Sequence, residues 1–190
     1  MIEAVAGIDI GGTFTKFGII DKKGLCLAAN SFVTVSYGEV DKFQKHLYDE
    51  IQAMMNSLNK KIILKGIGVG APNGNYRHGT IEYPPNLKWK GIIPFAGKFK
   101  KYFPDIPIVL TNDAKAAALG EMFYGGAIEM KNFVVITLGT GLGSAFVIDG
   151  QLVYGHDGLA GELGHVNVKP NGRNCRCGNK GCLETYVSAT

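Results

Sequence analysis

Two glycine-rich segments in corresponding positions constrain this chain more than any other feature. AGIDIGGTFTKFGIID, residues 6–21, can be laid without gaps over VITLGTGLGSAFVID, residues 135–149, so that Gly11 falls on Gly139 and Asp21 on Asp149. Each copy is an apolar run, a Gly/Thr-rich turn, a second apolar run and a turn into a third strand. That pattern predicts a β-hairpin whose glycines supply positive φ and allow close approach to the backbone. One such hairpin needs glycine for its turn alone. Two in successive halves point to duplicated lobes, each offering backbone N–H groups to one end of a polyphosphate.

The remaining periodicities fit that plan. Strands are expected at 5–10, 16–20 and 25–33. Phe43, Leu47, Ile51, Met54, Met55 and Leu58 recur at helical spacing and predict an amphipathic helix over 39–58. A strand over 63–70, a helix over 92–102, a strand over 106–110 and a helix over 113–124 follow, the last stopped by Gly125-Gly126. The β-β-β-α-β-α-β-α order makes residues 1–125 a mixed α/β lobe. A second lobe, 126–190, restarts at Asn132 with three strands and is expected to be incomplete, one apolar face lacking a cover.

Charge and cysteine usage narrow the class of function. Lys+Arg 20 against Asp+Glu 16 leaves +4, too small and too dispersed to suggest nucleic acid. No apolar run reaches membrane-spanning length and the first residues lack a signal-peptide pattern, which points to the cytoplasm. There, three of four cysteines clustered within 165–182 suggest a metal site over disulfides.

The motifs IDIGGT, GVGAPN, PPNLKW, NDAKAAALGE, LGTGLG, GELGH and CRCGNKGCLE occur in an order that resembles the ROK family of sugar kinases and repressors, from about Gly7 to Glu184. The resemblance implies the two-lobed actin-like ATPase (ribonuclease H-like) fold, with an active site in the cleft between lobes. It implies transfer of the γ-phosphoryl of ATP, with Mg²⁺, to the 6-hydroxyl of a hexose, glucose first. Kinases for N-acetylmannosamine, N-acetylglucosamine, allose and fructose share the scaffold. Members are longer than this chain and assemble as homodimers or homotetramers. A repressor would need a DNA-binding segment before the first strand, for which the few residues after Met1 leave no room. An actin- or chaperone-like ATPase would share the hairpins but have no use for the sugar acids or the metal ligands.

Residue by residue, the resemblance assigns Gly11, Gly12 and Thr13 to a phosphate cradle, with Lys16 adding charge and Asp9 holding hydrated Mg²⁺. Thr137, Gly139, Thr140 and Gly141 form the second cradle, and Thr137 occupies the place of Asp9. Asp113 is the expected catalytic base and Asn112 a sugar ligand, although an Asx residue before an alanine-rich helix is also a good N-cap. Lys115 stands where many relatives have Asn. Glu162, His165 and Glu184 are expected to bind the sugar hydroxyls. Asn86 and Gly70 are lesser candidates, in turns that need Pro and Gly regardless. His165, Cys175, Cys177 and Cys182 form H-x9-C-x-C-x4-C, a donor set suited to a structural, tetrahedral Zn²⁺ that would pin Glu162 and Glu184 from opposite ends.

Overall fold

A computed structural model describes residues 1–189 of the chain. It forms two compact units, Met1–Asp113 and Ala114–Thr190.

The first unit is built on a five-stranded sheet. β1 (Ile2–Ile10), β2 (Phe14–Asp21) and β3 (Cys26–Val33) form an antiparallel meander, and β4 (Ile62–Ala71) and β8 (Ile108–Asn112) add in parallel, giving the order β3-β2-β1-β4-β8. Alternation along β1 decides which face is covered: Ala4, Ala6, Ile8 and Ile10 are buried and the residues between them are more exposed. Helix α1 (Val40–Ser57) meets that core with Phe43, Leu47, Ile51 and Met54, one stripe at helical spacing. Phe43 sits at the centre of an aromatic cluster, 4.9 Å from the Trp89 ring and 6.1 Å from Phe95. The buried Gln44 donates from Nε2 to Phe95 O at 2.9 Å, securing the next helix.

That next helix is shorter than the periodicity predicts. Ile92–Ile93 form β7, which pairs with β6 (Thr80–Glu82), itself paired with β5 (Gly74–Asn75). Pro94 then separates strand from helix, and α2 covers only Phe95–Phe99. The apolar run of 92–93 satisfies a strand as readily as a helix, and the sheet partner decides.

In the second unit, α3 (Asp113–Tyr124) leads to a sheet of order β11-β10-β9, made of β9 (Phe133–Leu138), β10 (Leu142–Ile148) and β11 (Gln151–Leu152). Its small core joins Ala118, Ala145 and Val147. Val134, Ile136 and Leu138 on β9 are exposed. No described helix is long and apolar enough to cross a membrane.

The two hairpins differ in closure. Ile10 pairs with Thr15, leaving residues 11–14 in the first loop, whereas Leu138 pairs with Leu142, leaving residues 139–141 in the second. The sequences align without a gap, yet the second hairpin closes one residue tighter. Asp9 therefore faces Lys16 across its ladder, while Thr137 faces Gly143.

Candidate active site and metal knot

In the first unit the candidate residues gather where strands end. Asp9 on β1 is in register with Gly70 on β4, Gly70 with Thr111 on β8, and Ala71 with Asn112. β8 passes directly into α3, so Asn112 ends a strand and Asp113 begins a helix. The carboxyl ends of neighbouring parallel strands are where open α/β sheets bind ligands. Burial and the negative charge of Asp113 raise the Asp9 carboxyl above its usual range, and Lys16 partly offsets them. Two carboxylates that feel one another at one strand end, exposed to water, suit a hard, oxygen-seeking cation such as Mg²⁺.

The first glycine turn has a division of labour. Gly11 donates its N–H to Phe14 O at 3.0 Å and so closes the loop. The N–H groups of Gly12 and Thr13 have no partner among the described residues, which leaves them as the pair able to face an anion. A Cβ on Gly12 would lie 2.8 Å from Asn86 Cβ and 2.9 Å from Asn86 O. The turn is thus seated on Asn86, and only glycine allows it. Trp89 is core: its Nε1 donates to Tyr37 O at 3.2 Å, anchoring the segment that carries Asn86. Lys115 is also enclosed, 1% exposed in the first turn of α3.

In the second unit, Gly139 likewise closes its turn by donating to Gly141 O at 3.0 Å, leaving Thr140 at the tip. Glu184, the first residue of α4 (Glu184–Val187), accepts from Leu142 N through Oε2 at 3.3 Å. Ala189 N donates to Gly139 O at 2.8 Å. The turn is thereby tied at two points to the segment that follows the cysteines.

The four expected metal donors converge. His165 Nδ1 and Cys175 Sγ are 3.7 Å apart, Cys177 Sγ and Cys182 Sγ are 3.7 Å apart, and all four ligand atoms lie within 4.8 Å of one another. A tetrahedron with Zn–S bonds of about 2.3 Å has edges of about 3.8 Å, so the donor set fits zinc. Backbone bonds hold the loop in shape, among them Cys175 N to Asn179 O at 2.8 Å and Val168 N to Gly181 O at 2.8 Å. Gly181 has φ +78° and packs on Lys169 O, a place for no side chain. Burial pushes the Cys175 thiol up to about 12 and raises Cys182, while the Asn179 backbone lowers Cys177. Three thiolates thus need a cation among them.

Glu184 Oε1 lies 3.1 Å from Cys175 Sγ and 3.8 Å from His165 Nδ1, so this acid rests on the knot. Glu162 is held from its flanks. The Ser144 hydroxyl donates to Gly161 O and accepts from Leu163 N at 3.0 Å. Ser144 is a positioning residue that sequence reasoning missed. Its only signal is a polar residue in a strand whose neighbours Ala145 and Val147 are core, and it is 3% exposed.

The ROK family profile matches residues 5–190. A glucokinase of Streptomyces coelicolor is 35% identical over 183 residues, covering 96% of this chain and 55% of its own. A xylose repressor of Caldicellulosiruptor bescii is 31% identical over 191 residues, 98% of this chain and 47% of its own. Among solved structures, a ROK family glucokinase from Streptomyces griseus in complex with glucose and AMPPNP superposes with a TM-score of 0.79 at 33% identity, over 97% of this chain and 57% of that one. The chain spans about half the length of the curated relatives it matches.

Proposed function

The chain belongs to the ROK family and has the actin-like ATPase fold of its sugar kinases, and from that premise we propose that the whole protein is an ATP-dependent hexokinase acting on the 6-hydroxyl of glucose. The observation that carries the reading is the strand-end group of Asp9, Gly70, Asn112 and Asp113, with the charge of Asp113 felt at Asp9.

Phosphoryl transfer asks for positioning, charge neutralisation and a proton acceptor. Asp113 accepts the proton of the sugar 6-hydroxyl as that oxygen bonds to the γ-phosphorus, and the bond to the bridging oxygen breaks, releasing ADP. Asp113 is the first residue of α3, directly after Asn112 at the end of β8, which places a potential proton acceptor at the strand end. Gly12 and Thr13 donate backbone N–H groups to phosphate oxygens, and Asn86 shapes that turn from behind. Mg²⁺, held through Asp9, would supply charge neutralisation along the phosphates. Asn112, Glu162, His165 and Glu184 accept or donate hydrogen bonds at the sugar hydroxyls. Zinc, held by His165, Cys175, Cys177 and Cys182, would be structural, since four protein donors leave no position for water.

The xylose repressor match supports a second reading only in part: a sugar-binding half is useful to a kinase and to a repressor alike. The pair of carboxylates at the strand end supports the kinase reading, in which one holds Mg²⁺ and the other accepts the hydroxyl proton. Assay of the whole protein with MgATP against glucose, mannose, N-acetylmannosamine, allose and fructose tests the proposal. Glucose should give the highest kcat/KM. Turnover of a different hexose corrects the substrate, and sugar binding with no turnover of any hexose removes the kinase.

A further inference from the structure

The free edge of the first sheet carries a cavity for which phosphoryl transfer has no use. β8 ends the order β3-β2-β1-β4-β8, so no strand among the described residues pairs with its outer edge. Ile67 N donates to Pro107 O at 2.9 Å, which turns the backbone groups of Val109 towards β4 and those of Ile108 and Leu110 towards the free edge. Beside that edge is a cavity of about 660 Å³, whose lining includes Arg77, His78 and Lys100 and no Asp or Glu.

The walls are held in place. Asn75 is 3% exposed; its Oδ1 accepts from Arg77 N at 3.0 Å and its Nδ2 donates to Glu82 Oε1 at 3.0 Å. Gly79 N closes the turn by donating to Asn75 O at 2.9 Å, and Ala96 N ties the turn to α2 by donating to Gly79 O at 3.0 Å. Gly79 has φ +64°, and a Cβ there would lie 2.9 Å from Ala96 Cβ, so turn and helix meet only through glycine. The neighbouring lysines divide their work. Lys98 and Lys101 face Asp41 at 3.2 and 3.6 Å, whereas the Lys100 ammonium has no such partner among the described residues and lines the cavity.

Two cations and an imidazole with no carboxylate among them select an anion, and two cations match a dianion. The volume lies within the range of about 300–1,000 Å³ for small-molecule sites, more than a lone phosphate fills. Carbonyl oxygens of Ile108 and Leu110 at the edge suit hydroxyl groups on the body of the ligand. Only these two residues direct backbone groups outwards, short of the roughly 5–6 residues of an ordinary strand, which favours a small molecule over an added peptide strand. We propose that this cavity binds a small hydroxylated phosphomonoester, with its phosphate at Arg77 and Lys100 and its hydroxyls along the β8 edge. A hexose 6-phosphate, the product under the kinase reading, belongs to that class; the binding itself rests on the residues of the cavity and not on that reading. Cations beside a sheet edge also deter pairing with a second sheet, and the test separates the two roles.

That test is calorimetry and amide NMR titration of the protein with glucose 6-phosphate, in excess glucose to keep a sugar site filled, beside orthophosphate and glucuronate. Glucose 6-phosphate should bind saturably and at least about fivefold more tightly than either, and should shift the amides of Arg77, His78, Gly97 and Lys100. Lys100→Ala should weaken it about tenfold, the worth of one hydrogen bond to a charged group, with the denaturation midpoint unchanged. Lys100→Arg should restore most of the affinity. Shifts confined elsewhere overturn the site, as does affinity indifferent to Lys100→Ala. Equal affinity for orthophosphate overturns the hydroxylated ligand. Self-association of Lys100→Ala, with no binding by the parent, would assign the cations to guarding the edge. Hexose phosphorylation without this binding would leave the kinase standing and remove the cavity site. Lys100-dependent binding in a protein that phosphorylates no hexose would do the reverse.

Discussion

The two glycine hairpins begin from one pattern and are stabilised by different means. The first lies in the middle of a five-stranded sheet and stands on a continuous apolar core, with Ile8 and Ile10 below it and Phe43, Leu47 and Ile51 beneath them. The second has β9 at a sheet edge, a core of Ala118, Ala145 and Val147, and a turn tied by Glu184 and Ala189 to the metal-ready loop. Where the apolar core is small, a metal held by the four donors would take over the work of ordering. The contrast carries over to chemistry: the first hairpin holds the carboxylate Asp9, whereas the second holds Thr137 and sits beside arginines.

The strongest way to break this contrast is to remove the metal. Structural zinc in small domains contributes on the order of 10–16 kcal/mol of apparent binding free energy. Chelation, or Cys182→Ser, should therefore release amide-exchange protection throughout 163–189 and at the 139–142 turn, while β1 and β4 keep theirs. Uniform loss, or none, would show that the two units do not differ in this way. The converse experiment empties the apolar core. Phe43→Ala leaves a void at the aromatic cluster and should cost about 3–5 kcal/mol, read as a lowered denaturation midpoint for the first unit with zinc content retained. Zinc loss in that variant would mean the units stand or fall together.

Much of this was legible in the sequence because its signals are local. Apolar runs around Gly/Thr-rich turns gave the strands of the first sheet, the stripe from Phe43 to Met54 gave α1, and the spacing of His165 and three cysteines gave a donor set whose atoms converge within 4.8 Å. What escaped depended on partners far along the chain. The run Ile92–Ile93 is a strand because Ile81 and Glu82 lie beside it. The one-residue tightening of the second hairpin is invisible to a gapless alignment, since loop closure is set by which residues pair. Ser144 has its function because residues 161 and 163 return to it. Gly11 and Gly139 were expected in the cradles; in the structure their N–H groups donate to Phe14 O and Gly141 O and so close the turns.

A substitution at the strand end sharpens the chemical side of the contrast. Asp113→Asn keeps the shape and removes the proton acceptor. Turnover of the whole protein should fall by about 10²- to 10⁴-fold, with zinc content and the midpoint of either unit little changed. Retention of activity would take the base away from Asp113 and leave its helix-start position as the residue's role.

The smallest effect comes from Asp9, and its sign is informative. Burial and Asp113 raise its folded-state pKa above the usual 3.8. Between those two values the native state holds the extra proton, so stability falls as pH rises through that window, and the deficit persists above it. Asp9→Asn removes the deficit. In Mg²⁺-free buffer at pH 7 the variant should be slightly more stable than the parent, by less than about 1 kcal/mol because solvent screens an exposed carboxylate. The gain should vanish below pH 3.8, where the parent too is protonated. Added Mg²⁺ should stabilise the parent and not the variant. The corresponding change in the second hairpin, Thr137→Asn, introduces no such pH dependence, since Thr137 carries no charge to lose. Equal midpoints for Asp9→Asn and parent at pH 7 would mean that Asp9 is an ordinary solvated acid, and the distinction between a cation-holding turn and an anion-holding one would lose its first half.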